Sequence, residues 1–92
     1  MTGTLVLAGT PIGDIADAPP RLVKELETAD VIAAEDTRRL RRLTQALGVT
    51  PGGRVLSYFE GNESARTPEL VEELVGGARV LLVTDAGMPS VS

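Results

Sequence analysis

The chain has 92 residues, 42% of them hydrophobic, and a formal net charge of −4 at pH 7. This length allows one small domain with a thin core, and the acidic balance excludes a whole-surface attraction to nucleic acid, although not a local basic patch. Cysteine and histidine are absent, so the chain offers neither a thiolate nor an imidazole base, and no metal site is predicted.

Other features narrow the class further. Tyr58 and Phe59 are the only aromatic residues, too few for a platform that stacks several bases. No apolar stretch reaches the ~18 residues of a membrane helix, and the N-terminus lacks the pattern of a signal peptide. A cytoplasmic location is therefore the default expectation.

The first half of the chain predicts two strand–helix pairs. Thr4 to Ala8 is a short apolar run without alternation, which is typical of a strand covered on both faces. An apolar stripe over 22–29 predicts a helix that begins at Pro20. Val31 to Ala34 predicts the second strand, and leucines at 40, 43 and 47 predict a second helix that stops at Gly48.

The second half continues the alternation. Arg54 to Tyr58 predicts the third strand. Thr67, with Ser64 as the competitor, is the predicted N-cap of a third helix that ends at Gly76-Gly77. Arg79 to Thr84 predicts the fourth strand.

A β-α-β-α-β-α-β pattern predicts one α/β domain, with a parallel sheet, flanking helices and right-handed crossovers. The last strand has no covering helix after it, so the chain is expected to be part of something longer. Ligands in open α/β sheets bind outside the carboxyl ends of the strands. The residues that follow each strand are therefore the candidates for function.

The turns after strands 1 and 4 are rich in glycine and proline. They contain Thr10, Pro11, Ile12 and Gly13, and Asp85, Ala86, Gly87, Met88 and Pro89. Each sequence has an explanation in turn chemistry alone, but together they suggest two walls of one cleft. Pro11 occupies a glycine position of the dinucleotide fingerprint, and the Lys-Ser/Thr pair of a Walker A loop is missing.

The segment after strand 2 has two compatible interpretations. Glu35 and Asp36 are positioned to bind a hydroxyl or cationic ligand, while Asp36 or Thr37 is equally suited to cap the next helix. Four arginines follow, at 38, 39, 41 and 42. They form either a solvated helix face or a phosphate-binding patch, and their mutual repulsion in an acidic chain slightly favours the patch.

The polar loop after strand 3 carries Glu60 and Glu63. Either is a candidate general base, although most loop glutamates are simply solvated. Alone, this loop is weak support for a site.

Four segments in this order resemble the N-terminal domain of the tetrapyrrole methylase superfamily: TPIGD, ADVIAAEDTR, SYFEGNE and LLVTDAGMPSVS. Within it, the resemblance is to the small-subunit ribosomal RNA methyltransferase I branch, which 2′-O-methylates a cytidine. It spans nearly all of 1–92 and implies an N-terminal domain without its fifth strand and second domain.

The resemblance implies S-adenosylmethionine as the methyl donor, bound between the two domains. It also implies strand order 3-2-4-1-5, in which the turns after strands 1 and 4 lie side by side and hold the donor. Family members often have histidine at the positions of Phe59 and Gly61, and threonine at that of Met88.

Methylation of a ribose hydroxyl calls for a general base. Glu60 and Asp36 are the leading candidates, ahead of Glu35, Glu63 and Asp85, because they follow strand ends that face the presumed cleft. Arg38, Arg39 and Arg42 are the candidates for ribosomal RNA contacts. The expected substrate is small-subunit rRNA or the ribosomal subunit, the expected state is a homodimer, and the fragment alone is expected to be inactive.

Three alternatives remain at this stage. A Rossmann-like nucleotide-binding module would place strand 2 beside strand 1. A relative of the same fold would methylate a corrin or porphyrin. A non-enzymatic module would bind a partner through an uncovered sheet edge.

Overall fold

The computed structural model describes residues 3–9 and 20–84, and these form strands and helices in strict alternation. The elements are β1 (Thr4–Gly9), α1 (Pro20–Thr28), β2 (Val31–Ala34), α2 (Thr37–Leu47), β3 (Arg54–Ser57), α3 (Glu63–Val75) and β4 (Arg79–Thr84). The four predicted strands are confirmed. β1 ends one residue later than predicted, and β3 ends one residue earlier.

The strands form one parallel sheet in the order β1-β4-β2-β3. This is the 3-2-4-1 arrangement implied by the resemblance. β4, and not β2, lies beside β1, with Gly9 paired with Thr84 at the carboxyl end. The alternative of a Rossmann-like module is therefore excluded, because that fold places strand 2 next to strand 1.

The two faces of the sheet carry different helices. On one face, Ile32 and Leu81 belong to a core cluster with side chains of α1 and α2, among them Leu26 and Leu40. On the other face, Val31, Ala33 and Val80 cluster with Leu70 of α3. We call these the α1/α2 face and the α3 face. All four residues of β2 are buried because helices cover both sides of it, which explains the continuous apolar run.

The α3 face is less completely covered. Leu5 and Leu7 of β1 pair with Val80 and Leu82, which contribute to this face, yet both leucines are 51% exposed. On α3, Val71 and Val75 are 50% and 65% exposed.

Both ends of α2 follow the local signals. Asp36 is the N-cap, and its carboxylate accepts hydrogen bonds from the backbone N–H groups of Arg38 and Arg39. Gly48 ends the helix with φ 69°, the left-handed conformation that glycine adopts without a steric penalty.

The predicted start of α3 was wrong. The helix begins at Glu63, and Asn62 occupies the N-cap position. The Thr67 hydroxyl donates to the carbonyl of Glu63 at 2.7 Å, one turn earlier, as hydroxyls inside a helix do. The proline that suggested a helix start lies inside the helix instead.

An ion pair joins α1 to the beginning of β4. The guanidinium of Arg79 donates to both carboxylate oxygens of Glu25, at 2.8 and 2.6 Å. The Glu25 side chain is only 6% exposed, whereas that of Arg79 is 41% exposed. Asp30 is bonded to the same segment, since its carboxylate accepts from the backbone N–H of Arg79. These contacts tie the amino ends of β2 and β4 to α1.

Candidate functional site

All four strands end at one edge of the sheet, which we call the carboxyl rim. Its strand ends are Gly9, Thr84, Ala34 and Ser57, in spatial order. At the usual spacing of ~4.8 Å between strands, the ends of β1 and β3 are about 14 Å apart. Polar residues follow all four of these ends within a few positions.

The predicted donor turns begin at paired residues. Gly9 and Thr84 are direct neighbours in the ladder between β1 and β4. The turn residues themselves, Thr10, Pro11, Ile12 and Gly13 and Asp85, Ala86, Gly87, Met88 and Pro89, lie outside the described residues. The neighbouring position of the two strands is confirmed, while the role of the turns stays a prediction.

A cleft of about 380 Å³ opens at the carboxyl rim on the α3 face. We call it the rim cleft. It is lined by Glu35, Tyr58, Phe59, Glu60, Glu63, Leu82 and Thr84. Three of these residues carry carboxylates, and no basic side chain is among them. The volume suits part of a small ligand, and the charge favours a ligand that is cationic or that donates from hydroxyl groups.

The loop after β3 is organised by Asn62. Its side-chain Oδ1 accepts from the backbone N–H of Phe59 at 2.9 Å, and its Nδ2 donates to the carbonyl and hydroxyl oxygens of Ser57 at 3.1 and 3.0 Å. The backbone N–H of Asn62 also donates to the carbonyl of Phe59. Sequence reasoning missed this role, although Gly61-Asn62 after a strand is a turn signal.

Tyr58 fixes the other side of the same loop. Its backbone N–H donates to the carbonyl of Ala34 at 2.8 Å, which continues the pairing of β2 and β3. Its hydroxyl lies 2.8 Å from the hydroxyl of Thr67 on α3. The backbone on which Glu60 stands is therefore held to the sheet and to α3.

The two candidate bases differ in their surroundings. Glu60 lines the rim cleft and is exposed. Asp36 does not line it, and the hydrogen bond from the backbone N–H of Arg39, with that of Arg38, lowers the pKa of its carboxyl from the ordinary value of 3.8. A lowered pKa makes a weaker base. The capping role of Asp36 is confirmed, while the assignment of Glu60 as the base stays a prediction.

The arginines of α2 lie on its exposed surface. Arg38, Arg39, Arg41 and Arg42 are all exposed, and none of them takes part in the salt bridges formed within 3–9 and 20–84. They reach the same carboxyl rim as Glu60, because α2 begins there. They do not share its face, since α2 packs on the α1/α2 face.

A groove of about 610 Å³ runs between α2 and the edge strand β3. Arg41, Gln45 and Thr50 are among its lining residues, and no carboxylate is among those residues. Arg41 was left out of the predicted RNA contacts. Its place in the groove depends on the packing of β3 beside α2, which the sequence pattern of α2 alone does not predict.

The described part of the chain has neither a membrane-spanning helix nor a cluster of metal ligands. No helix there is long and apolar enough to cross a membrane. Likewise, its carboxylates form no group of three or more that is arranged to hold a metal ion.

The fold and the carboxyl rim define a class of protein. This is a parallel α/β domain in which β4 is inserted between β1 and β2, and an acidic cleft lies at the carboxyl ends of the strands. Residues 4–92 match the family model described as Tetrapyrrole (Corrin/Porphyrin) Methylases, and the chain belongs to this family.

Relatives within the family carry one common name, ribosomal RNA small subunit methyltransferase I. The chain is 50% identical to the protein of that name from Mycobacterium tuberculosis over 91 residues, which is 99% of this chain. It is 44% identical to the protein of that name from Synechocystis and 38% identical to the one from Bacillus subtilis, in each case over 98% of this chain. The chain spans about a third of the length of these relatives: 32% of the first two and 30% of the third.

Proposed function

We propose that this chain is the N-terminal domain of an S-adenosylmethionine-dependent methyltransferase that modifies small-subunit ribosomal RNA, at the 2′-hydroxyl of a cytidine. The relatives' common name supports the RNA substrate. The single structural observation that carries the proposal is the pairing of Gly9 with Thr84. Because of this pairing, the two predicted donor turns follow neighbouring strands.

The donor is proposed to lie between those turns and a second domain. Thr10, Pro11, Ile12 and Gly13 would form one wall, and Asp85, Ala86, Gly87, Met88 and Pro89 the other. The rim cleft, whose carboxylates can accept hydrogen bonds from ribose hydroxyl groups, is left for the acceptor. The exposed Leu5, Leu7, Val71 and Val75 support the proposal that further polypeptide packs on the α3 face, while the fifth strand would extend the sheet beside β1.

The chemistry required of this domain is modest. When bound, S-adenosylmethionine supplies an electrophilic methyl group. The protein aligns the acceptor hydroxyl with it and excludes water. Glu60 would accept the hydroxyl proton as the C–O bond forms and the S–CH3 bond of the donor breaks, with the sulfur leaving as a neutral thioether, because a ribose hydroxyl is a weak nucleophile without a base. Glu63 lines the same cleft and is proposed to contribute negative charge.

The RNA is proposed to cross the carboxyl rim from one face to the other. Arg38, Arg39 and Arg42 would contact phosphates on the α1/α2 side. The target nucleotide would enter the rim cleft on the α3 side. The resemblance further implies a homodimer, and light scattering on the full-length protein would measure its mass. A cytoplasmic location remains the default expectation from the sequence.

Substitution of Glu60 tests the role of the base. Glu60→Gln in the full-length protein should lower the single-turnover rate of methylation of small ribosomal subunits by about 10²- to 10⁴-fold. Affinity for S-adenosylmethionine, measured by calorimetry, should change little. Glu63→Gln is the matched control and should keep most of the rate. A Glu60→Gln rate within threefold of wild type would remove Glu60 from the mechanism.

The second candidate is methylation of a corrin or porphyrin, which the family's description favours. The two functions are separated by presenting the full-length protein and donor with small ribosomal subunits or with a tetrapyrrole. Methyl transfer to the tetrapyrrole alone would replace the RNA proposal.

A further inference from the structure

Phe59 is an exposed aromatic ring at the carboxyl rim. It is 47% exposed, lines the rim cleft and directly precedes Glu60 in the chain. Single exposed apolar side chains are common on protein surfaces. This one differs because the loop that carries it is held at several points.

The backbone of Phe59 is fixed by Asn62. Its N–H donates to the Asn62 side chain at 2.9 Å, and its carbonyl accepts from the Asn62 backbone N–H at 3.0 Å. The same Asn62 side chain is bonded back to Ser57, the last residue of β3. The loop is therefore closed into a short turn on the end of the strand.

The ring itself lies against Gly61. A Cβ atom added at Gly61 would lie 2.5 Å from Cε2 of Phe59 and 3.2 Å from its Cδ2. Only glycine leaves room for the ring in this position. One edge of the ring thus contacts the backbone at Gly61, while about half of the side chain faces solvent.

We propose that Phe59 stacks on the base of the target nucleotide and thereby brings its ribose to Glu60. The inference rests on the proposed function and adds the group that selects and orients the acceptor. An unpaired base extruded from RNA is commonly held against an aromatic side chain. One ring is too little for a multi-base platform, but it is sufficient for one base.

The position of Phe59 assigns it to the acceptor and not to the donor. It follows β3, which lies beyond β4 and β2 from β1. The proposed donor turns follow β1 and β4, whose ends lie about 14 and about 10 Å from the end of β3 along the rim at normal strand spacing. Thr84, the end of β4, is the donor-side residue of the rim cleft. The adenine of the donor would be held at the β1 end of the rim.

The test uses the full-length protein and small ribosomal subunits from cells that lack its gene. Phe59→Leu keeps apolar bulk but loses the aromatic face. It should raise KM for the subunit about tenfold, leave donor affinity within twofold, and be rescued by Phe59→Trp.

Gly61→Ala provides an independent variant that removes no functional group. Because the added methyl displaces the ring, it should raise KM as Phe59→Leu does. In a Phe59→Leu background, Gly61→Ala should raise KM little further, since the clashing Cε2 atom is gone. Thermal unfolding of each variant separates this effect from loss of fold.

The outcomes are distinct. An unchanged KM in Phe59→Leu, with Glu60→Gln still inactive, would overturn the stacking role and leave the proposed function intact. If Phe59→Leu weakened donor affinity as much as it raised KM for the subunit, the ring would be assigned to the donor's adenine, and this too would overturn the stacking role. If wild-type protein methylates no subunit, the proposed function fails and this inference falls with it.

Discussion

Glu25 and Asp36 both have carboxyl groups whose pKa is lowered by hydrogen bonds, but they serve different purposes. Asp36 caps α2 from a partly exposed position. Glu25 is buried against Arg79, whose hydrogen bond is the largest cause of its lowered pKa, with burial opposing it. Neither carboxylate lines the rim cleft. Both therefore act on stability, through helix capping and through the contact between α1 and β4.

The Glu25–Arg79 contact predicts how stability depends on pH. The folded pKa of Glu25 is below its ordinary value of 4.5, so the ion pair contributes fully above pH 4.5. The contribution is lost as pH falls through the folded pKa. Glu25→Gln should lower the free energy of unfolding at pH 7 by about 1 kcal/mol, and by progressively less as the pH falls below 4.5.

Urea unfolding at several pH values measures this difference. Glu27→Gln, an exposed neighbour on the same helix, is the matched control and should leave the pH profile unchanged. A Glu25→Gln protein that loses stability in acid as steeply as wild type would contradict the assignment.

At the scale of single elements, α2 combines structure and proposed function. Its buried side, with Leu40 and Leu43, packs into the core of the α1/α2 face, and its exposed side carries the arginines. Like charges three and four residues apart cost a few tenths of a kcal/mol per pair. An anionic partner at the carboxyl rim would relieve that repulsion.

The arginine surface predicts a salt-dependent contribution to RNA binding. Replacing Arg38 and Arg42 together by Ala should weaken binding of the full-length protein to small ribosomal subunits. It should also reduce the slope of log affinity against log salt concentration by about 1.5, if each contacts one phosphate.

The control for this prediction is Arg54→Ala. Arg54 is also exposed, but it stands at the amino end of β3 and is bonded to Glu73 at 2.7 Å. It should leave the salt slope unchanged. An equal change in both proteins would indicate a general charge effect, and no change in either would leave the α2 arginines as solvated surface residues.

Element boundaries were predictable where one local interaction decides them. The end of α2 at Gly48 was foreseen, and its N-cap, Asp36, was one of the two predicted candidates. The start of α3 was not foreseen: Asn62 holds the N-cap position without a side-chain bond to the helix, and its side chain bonds instead to Ser57 on β3. A local cap rule assigned Thr67 without that contact.

For the whole molecule, the order of the strands decides where ligands meet the domain. With β4 beside β1, the predicted donor turns leave neighbouring strand ends, while Glu60 and Phe59 follow the edge strand β3. Donor and acceptor would therefore approach from the two ends of the carboxyl rim. The arginines reach the rim from the opposite face of the sheet.

This arrangement predicts that residues 1–92 alone hold only part of the donor site. Calorimetry should give an affinity for S-adenosylmethionine at least 100-fold weaker than that of the full-length protein, and no methylation of small ribosomal subunits. The physical reason is that a donor held between two domains loses the contacts of one. Equal affinities would show that this domain binds the donor by itself and would remove the second domain from the donor site.

The sequence by itself determined the strands, most helix ends and the α/β class, because hydrophobic period, capping and glycine act over a few neighbouring residues. The strand order was implied by the family resemblance, and the pairing of β4 with both β1 and β2 demonstrates it. Only the tertiary structure decided that the rim cleft lies on the α3 face, that the arginines lie on the other, and that Phe59 is held against Gly61. The first two features depend on which face of the sheet each crossover helix covers, and the third depends on how the loop closes onto the end of β3. Such contacts join distant parts of the fold, so a local sequence pattern cannot predict them.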